Sequence, residues 1–334
     1  MNFRPRFVKL PLKITAALAL TGMLFADITL YNGQHKEATQ ALVEAFTKET
    51  GIKVNVNSGK DTELASKIKE EGDKTPADVI YVESTGALLS LANEGMLAKL
   101  AKSTVKATAN PGVPVAKNQD WVAVSGRARV VVYDARKLSD KDMEKSVLDY
   151  ATPKWKGRLG FAPTSGAFVA QIATIKKLKG EATAIKFLEG LKANGKVYPK
   201  NSVALQAVEN GEIQAALINN YYWYARAKEV GEKNMHSKLY FVGNKDVGAL
   251  MIYSGAAVLK ASKHKNEAKK FVAFLVSKKG QETLTTARAE YPLRKNVKSG
   301  YKLPSYTTVG SPEVTLTQDD IDDANALIRK VGLI

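Results

Sequence analysis

The sequence predicts an α/β protein of two lobes, each a mixed, mainly parallel sheet flanked by helices, joined by two strands that cross between them. Three observations carry this. Strand and helix patterns alternate over residues 27–82, which is the pattern of a parallel sheet covered on both faces. Two apolar β runs, 129–134 and 249–253, interrupt the α/β pattern without helical periodicity. At 334 residues the chain also exceeds one typical core and suits two.

Taken in order, Asp27-Ile28-Thr29-Leu30-Tyr31 reads as an alternating strand, Asn32-Gly33 as a turn, and the next helix aligns Ala38, Leu42, Ala45 and Phe46 on one face before Gly51 stops it. A second strand carries Ile52, Val54 and Val56. A polar helix covers Leu64–Glu71, and Ala77–Val82 reads as a more buried strand. In such β-α-β-α-β units ligands sit beyond the carboxyl ends of the strands, where His35 and Glu83 fall. Arg129–Asp134 and Ala249–Tyr253 are the crossing strands, with Gly255–Leu259 a separate strand and Asn266–Val276 an amphipathic helix after them. Both lobes are then discontinuous, 27–128 with 253–302 and 129–252 with 303–334, and a paired hinge lets them close on a ligand.

Between the crossings, Arg158–Ala162 is a strand, 163–167 a turn and Phe168–Leu178 a helix. Ser165 is the expected N-cap, and with Gly166 and Ala167 it forms a candidate anion cradle or an ordinary cap. Val203–Glu209 is a helix and Ile213–Ile218 a buried strand. Asn219-Asn220-Tyr221-Tyr222 therefore leave that strand at its carboxyl end, ahead of a helix over Trp223–Val230. In the tail, Thr317-Gln318-Asp319-Asp320 has the form of a capping box before Ile321–Lys330.

Residues 1–26 place Arg4, Arg6, Lys9 and Lys13 before the apolar stretch Ile14–Phe25 and Ala26, the order of a secretory signal, with Asp27 as the mature N-terminus. Leu24 stands where a small residue is preferred at cleavage, so a retained anchor is the alternative. The absence of cysteine excludes disulfides, thiolate metal sites and lipid attachment through cysteine. These features point to the periplasm and to no membrane insertion once the signal is removed. The formal charge is +17, four units of it in the signal region. The lysines are scattered, as at Lys67, Lys69, Lys74, Lys99 and Lys102, which suits a solvated basic surface better than a nucleic-acid footprint.

Adjacent tyrosines are commonly packing residues. A hard trivalent cation is the other use of such a pair, because only a strong Lewis acid displaces phenolic protons at neutral pH. Two phenolates, the Glu83 carboxylate and His35 would balance the three charges of Fe3+. A hydrolase reading would instead join His35, Glu83 and Ser165, but no nucleophile elbow surrounds Ser165 and no phosphate loop or dinucleotide fingerprint is present.

Five segments resemble the periplasmic ferric-ion-binding proteins. They are Tyr31-Asn32-Gly33-Gln34-His35-Lys36-Glu37, Pro76-Ala77-Asp78-Val79, Thr164-Ser165-Gly166-Ala167-Phe168, the run from Asn201-Ser202-Val203 to Glu209-Asn210-Gly211, and Ala216-Leu217-Ile218-Asn219-Asn220-Tyr221-Tyr222-Trp223-Tyr224. The resemblance spans about 27–295, the tail being less typical, and implies a type II periplasmic-binding-protein fold, monomeric, that passes Fe3+ to an inner-membrane ABC permease downstream of an outer-membrane uptake system. It implies His35, Glu83, Tyr221 and Tyr222 as iron ligands, completed by water and a synergistic anion on Ser165, Gly166, Ala167, Asn201 and Asn219. Ser84 is the further anion-binding candidate; it stands where such proteins often carry an anion-holding glutamine and its shorter hydroxyl reaches only through water, so phosphate would be held more weakly or replaced by carbonate. Arg127 is a candidate for tuning the anion. Capture of another small anion or of a polyamine on the same scaffold is the runner-up.

Overall fold

The structure is a computed structural model that describes residues 26–334; the expected signal segment over 1–25 and its processing lie outside the described residues. The first half of the sheet begins with β1 (Ile28–Asn32), α1 (Lys36–Thr50), β2 (Val54–Ser58), α2 (Asp61–Glu71) and β3 (Val79–Val82), followed by α3 (Gly86–Asn93) and α4 (Lys102–Lys106). β1 lies between β2 and β3, parallel to both. α1 ends where Gly51 turns left-handed at φ 75°, its N–H donating to the Thr47 carbonyl, and its Ala38, Leu42 and Phe46 face the core.

β4 (Val122–Asp134) is a 13-residue strand with every residue buried. It is followed by β5 (Leu159–Phe161), α5 (Gly166–Lys179), α6 (Glu181–Asn194), β6 (Lys196–Val197), α7 (Asn201–Glu209), β7 (Ala215–Asn219), α8 (Asn220–Val230) and β8 (Ser237–Tyr240). The chain returns through β9 (Met251–Val258), α9 (Lys265–Leu275), α10 (Lys278–Ala287), β10 (Tyr291–Pro292), α11 (Tyr306–Val309) and α12 (Gln318–Val331). The strand order is β2-β1-β3-β9-β4-β7-β5-β6, with β8 and β10 also on β4. The first half of β4 pairs with β9 and β10, and the second half with β7 and β8.

Two interiors lie on either side of this junction. One gathers Phe46, Phe271 and Phe274 with Val122 and Val124 of β4. The other gathers Tyr150, Trp155, Phe161, Phe168 and Phe187 with Val131 and Tyr133 of the same strand, and takes in Ala324, Leu327 and Ile328 of α12. α12 starts at the expected capping box, Thr317 and Asp320 capping each other reciprocally.

Two expectations are corrected. Ala249–Tyr253 and Gly255–Leu259 are not separate strands but parts of one, β9, running through Ser254. The Ser254 hydroxyl is satisfied inside the ladder, accepting from the Ser125 N–H at 3.0 Å and lying 2.5 Å from the Ser125 hydroxyl, so no turn is needed to solvate it. The irregularity falls on the partner strand, where the register shifts between Ala123 and Ser125. The helix expected from Trp223 instead begins at Asn220, so both tyrosines occupy its first turn. Asn220 sets that start: its side chain accepts from Ala128 N–H and donates to the Ala289 carbonyl, both at 3.0 Å.

Candidate metal centre

His35 is delivered by a turn that the sequence builds with short polar side chains. Asn32 donates to the Gln34 carbonyl at 2.8 Å and accepts from Gln34 N–H at 3.2 Å and from the Thr39 hydroxyl at 2.8 Å. The Gly33 N–H donates to the Tyr81 carbonyl of β3 at 2.7 Å. A Cβ on Gly33 would lie 2.0 Å from Asp61 Oδ1. That carboxylate is not free to step aside, since it accepts from the backbone N–H of Glu83 at 3.2 Å and from the N–H and hydroxyl of Ser84 at 2.9 and 3.2 Å. That carboxylate thus latches the Glu83–Ser84 turn and abuts the Gly33 turn, and burial raises its pKa to about 6 against those donors. Gly33→Ala is expected to break this latch at a cost of about 1–3 kcal/mol, lowering the melting temperature by several degrees and weakening ligand capture. An unchanged melting curve would show the carboxylate to be mobile.

Glu83 sits one residue beyond β3. Its Oε1 meets His35 Nδ1 at 2.9 Å and its Oε2 meets Arg127 Nη1 at 3.0 Å. A second Arg127 nitrogen donates to the Glu83 carbonyl. Arg127 is 3% exposed. Burial pushes the Glu83 carboxyl up, but the Arg127 charge and the His35 hydrogen bond outweigh it and hold the group at about 2. A carboxylate on Nδ1 fixes the imidazole so that Nε2 is left as the outward nitrogen, and that atom is buried with no hydrogen-bond partner among the described residues.

Tyr221 reaches the same place from α8. Its ring is 5.0 Å from the His35 ring and 4.3 Å from that of Tyr222, and the Arg288 guanidinium lies 4.2 Å over it. Neither phenol has a hydrogen-bond partner among the described residues. Burial, then the neighbouring Tyr222, raise the Tyr221 phenol well above its ordinary value, with Arg127 and Arg288 opposing. His35, Glu83, Tyr221 and Tyr222 are therefore in one contiguous cluster, although His35 and Glu83 precede β4 and the tyrosines follow it.

Ser165 caps α5 as expected, its hydroxyl accepting from Phe168 N–H at 3.2 Å, while Gly166 and Ala167 occupy the first turn, where N–H groups lack intrahelical acceptors. Asn201 is buried at the start of α7, its Oδ1 without a partner among the described residues. Asn219 ends β7 and accepts from Arg129 Nη1 at 3.2 Å. Of the other sequence candidates, the Ser84 hydroxyl donates to Asp61 Oδ2 at 3.2 Å and Arg127 Nη1 lies 3.0 Å from Glu83 Oε2.

Sequence reasoning missed Arg129 as a site residue. It is 1% exposed, and its hydrogen-bond partners are the neutral oxygens of Gln171, at 3.1 and 3.3 Å, and Asn219. Burial lowers its pKa to about 10, while Tyr221 and Tyr222 lie close enough to oppose that shift. The signal was present as two arginines at alternate positions of an apolar strand, which places both on one face. Arg288 had no such signal, since it reaches Tyr221 only through the fold.

Residues 32–282 match the family model described as bacterial extracellular solute-binding protein. The chain is 58% identical over 321 residues to the major ferric iron-binding protein of Neisseria meningitidis, covering 96% of this chain and 97% of that protein. It is 34% identical to the Fe(3+)-binding periplasmic protein of Serratia marcescens, over 92% and 90% of the two chains. Among solved structures, iron-bound HitA from Pseudomonas aeruginosa superposes with a TM-score of 0.85 at 46% identity, covering 92% of this chain and all of that one. The chain belongs to the bacterial extracellular solute-binding proteins, in their ferric iron-binding group.

Proposed function

We propose that the protein captures ferric iron in the periplasm, together with an anion, and delivers it to an inner-membrane ABC permease. The observation that carries this is the meeting of His35 and Glu83 with Tyr221 and Tyr222 across β4. Two phenolates and a carboxylate neutralise a trivalent ion, and a hard oxygen-rich donor set suits Fe3+. We take 27–128 with 253–302 as one lobe and 129–252 with 303–334 as the other, a division supported by the two interiors on either side of the β4–β9 crossing. His35 and Glu83 then come from the first lobe and the tyrosines from the second, so metal binding and closure are one event.

The anion belongs beside Arg129. A buried guanidinium with neutral acceptors alone is better compensated by a small oxyanion than by any protein group near it. Asn219, already bonded to Arg129 through its Oδ1, the Nδ2 donor of Asn201 and the first-turn N–H groups at Gly166 and Ala167 would supply further donors, with Ser165 as the cap that orients that turn. Phosphate and carbonate both fit this chemistry. The three guanidinium groups of Arg127, Arg129 and Arg288 disfavour a polyamine. Ser165 accepts a cap bond and has no hydrogen bond to His35, and a solute-binding family is not one of enzymes, which sets the hydrolase reading aside. A monomer supplied by an outer-membrane iron-uptake system completes the proposal. Among the described residues no helix is long and apolar enough to cross a membrane.

The test is to titrate the metal-free protein with ferric citrate, with and without phosphate, and record the visible spectrum. A phenolate-to-iron band is expected, stronger with phosphate present. A colourless, metal-free product under both conditions refutes the proposal.

A further inference from the structure

The crossing strands have two faces, and the candidate metal centre uses one. Side chains alternate along β4, so Arg127 and Arg129 point to one face and Gly126 lies on the other. On that other face Gly126 is flanked in the ladder by Tyr253 of β9 and Tyr291 of β10, both directly opposite it. No side chain rises from Gly126 itself, and Met251 Sδ and the Tyr306 hydroxyl fill the space, 2.9 and 3.3 Å from where a Cβ would stand. Over this floor opens a cavity of about 1010 Å³ lined by Tyr253, Tyr291, Tyr301 and Tyr306 among others, and by none of the candidate iron ligands.

Its chemistry is specific. The Tyr291 and Tyr306 rings are 5.3 Å apart and tilted by 59°, offering aromatic faces and edges rather than a closed stack. Tyr291 is 3% exposed, and its buried hydroxyl has no hydrogen-bond partner among the described residues. The wall and rim carry Lys245, Lys295 and Lys298, none in an ion pair among the described residues, against the single carboxylate of Glu313. Arg294 also lines the cavity, but it is turned toward the Val276 carbonyl, to which it donates at 3.0 Å. The volume is at the upper end of small-molecule sites, which run to about 1,000 Å³.

We propose that this cavity, on the face of the hinge strands opposite the candidate metal centre, is a second binding site for a flat aromatic carboxylate. The rings would pack against the tyrosines, and the carboxylate would lie toward Lys295 and Lys298. Because the floor is made of β4, β9 and β10, an occupant touches both crossing strands without entering the cleft.

Calorimetric titration of 2-naphthoate into the full chain tests this, first without metal and then after saturation with ferric iron and phosphate. Binding of one equivalent is expected in both cases. Tyr306→Ala should weaken it about tenfold. Lys295→Glu combined with Lys298→Glu should weaken it about threefold or more, and the uncharged 2-naphthalenemethanol should bind less tightly than the acid. Circular dichroism and melting curves establish that each variant is folded. The proposal is overturned by absence of heat with the wild-type chain, by equal affinity for acid and alcohol, or by a folded Tyr306→Ala that binds as the wild type does. Failure here leaves the iron reading intact, since that rests on the colour of the other site.

Discussion

Replacing Tyr221 by phenylalanine is expected to give a protein that folds as before but has a weaker, shifted phenolate-to-iron band. The ring keeps its packing against His35, Tyr222 and Arg288, at 5.0, 4.3 and 4.2 Å between the groups. The hydroxyl it loses has no hydrogen-bond partner among the described residues, so stability should change by less than about 1 kcal/mol. Its loss to iron is far larger. A phenolate contributes both a donor atom and a negative charge, and even outer partners of metal ligands are worth about 10–100-fold in affinity, so removing a ligand itself should cost about a hundredfold at least. Tyr222→Phe should behave in the same way, leaving one phenolate and a weaker, shifted band. Ferric titrations followed in the visible check both, and unchanged colour and affinity in the two variants would remove the tyrosines from the site.

Acidification should release the iron steeply. Burial and the neighbouring phenol keep Tyr221 protonated in the metal-free protein at neutral pH, so iron must displace its proton. With two phenols ionising on capture, affinity should fall about a hundredfold for each pH unit. Glu83 does not contribute to that fall between pH 7 and 5. Its pKa is depressed to about 2 from 4.5, so the stability it confers is fully present above about 4.5 and is lost only as pH drops through the folded value. Affinity measured across pH 5–7 should therefore have a slope of at least two protons, because the His35 imidazole must also bind unprotonated, and a flat profile would exclude phenolate ligation.

Much of the first β-α-β-α-β unit was legible in the sequence because it depends on local signals. Alternation marked β1 and β2, a continuous apolar run marked β3, Gly51 marked the end of α1, and the caps at Ser165 and Thr317 are short-range hydrogen bonds. His35 and Glu83 were placed at one rim from strand polarity alone. What sequence left hidden was set by distant partners. The start of α8 depends on Asn220 reaching β4 and Ala289, and the continuity of β9 depends on Ser125 satisfying Ser254. Asp61 stood ahead of the polar helix read over Leu64–Glu71, with no signal of its own, yet its carboxylate holds the turn at Glu83 and Ser84. Arg129 and Arg288 act through neighbours far away in the chain, and neither carries a local motif.

The pairing of β3 with β9 also constrains how the molecule is made. Val79 pairs with Val258 and Val82 with Gly255, so the first half of the sheet cannot close until the whole of 122–250 has been synthesised. Contacts that distant slow folding, because the chain entropy between them is lost before the pairing is gained. Until β9 arrives, β3 is an open edge of Val79-Ile80-Tyr81-Val82, apolar and strongly strand-forming. An unpaired edge of that kind is where a nascent chain associates with its neighbours, so the interval between the two strands is the stage at which this chain is most exposed to aggregation.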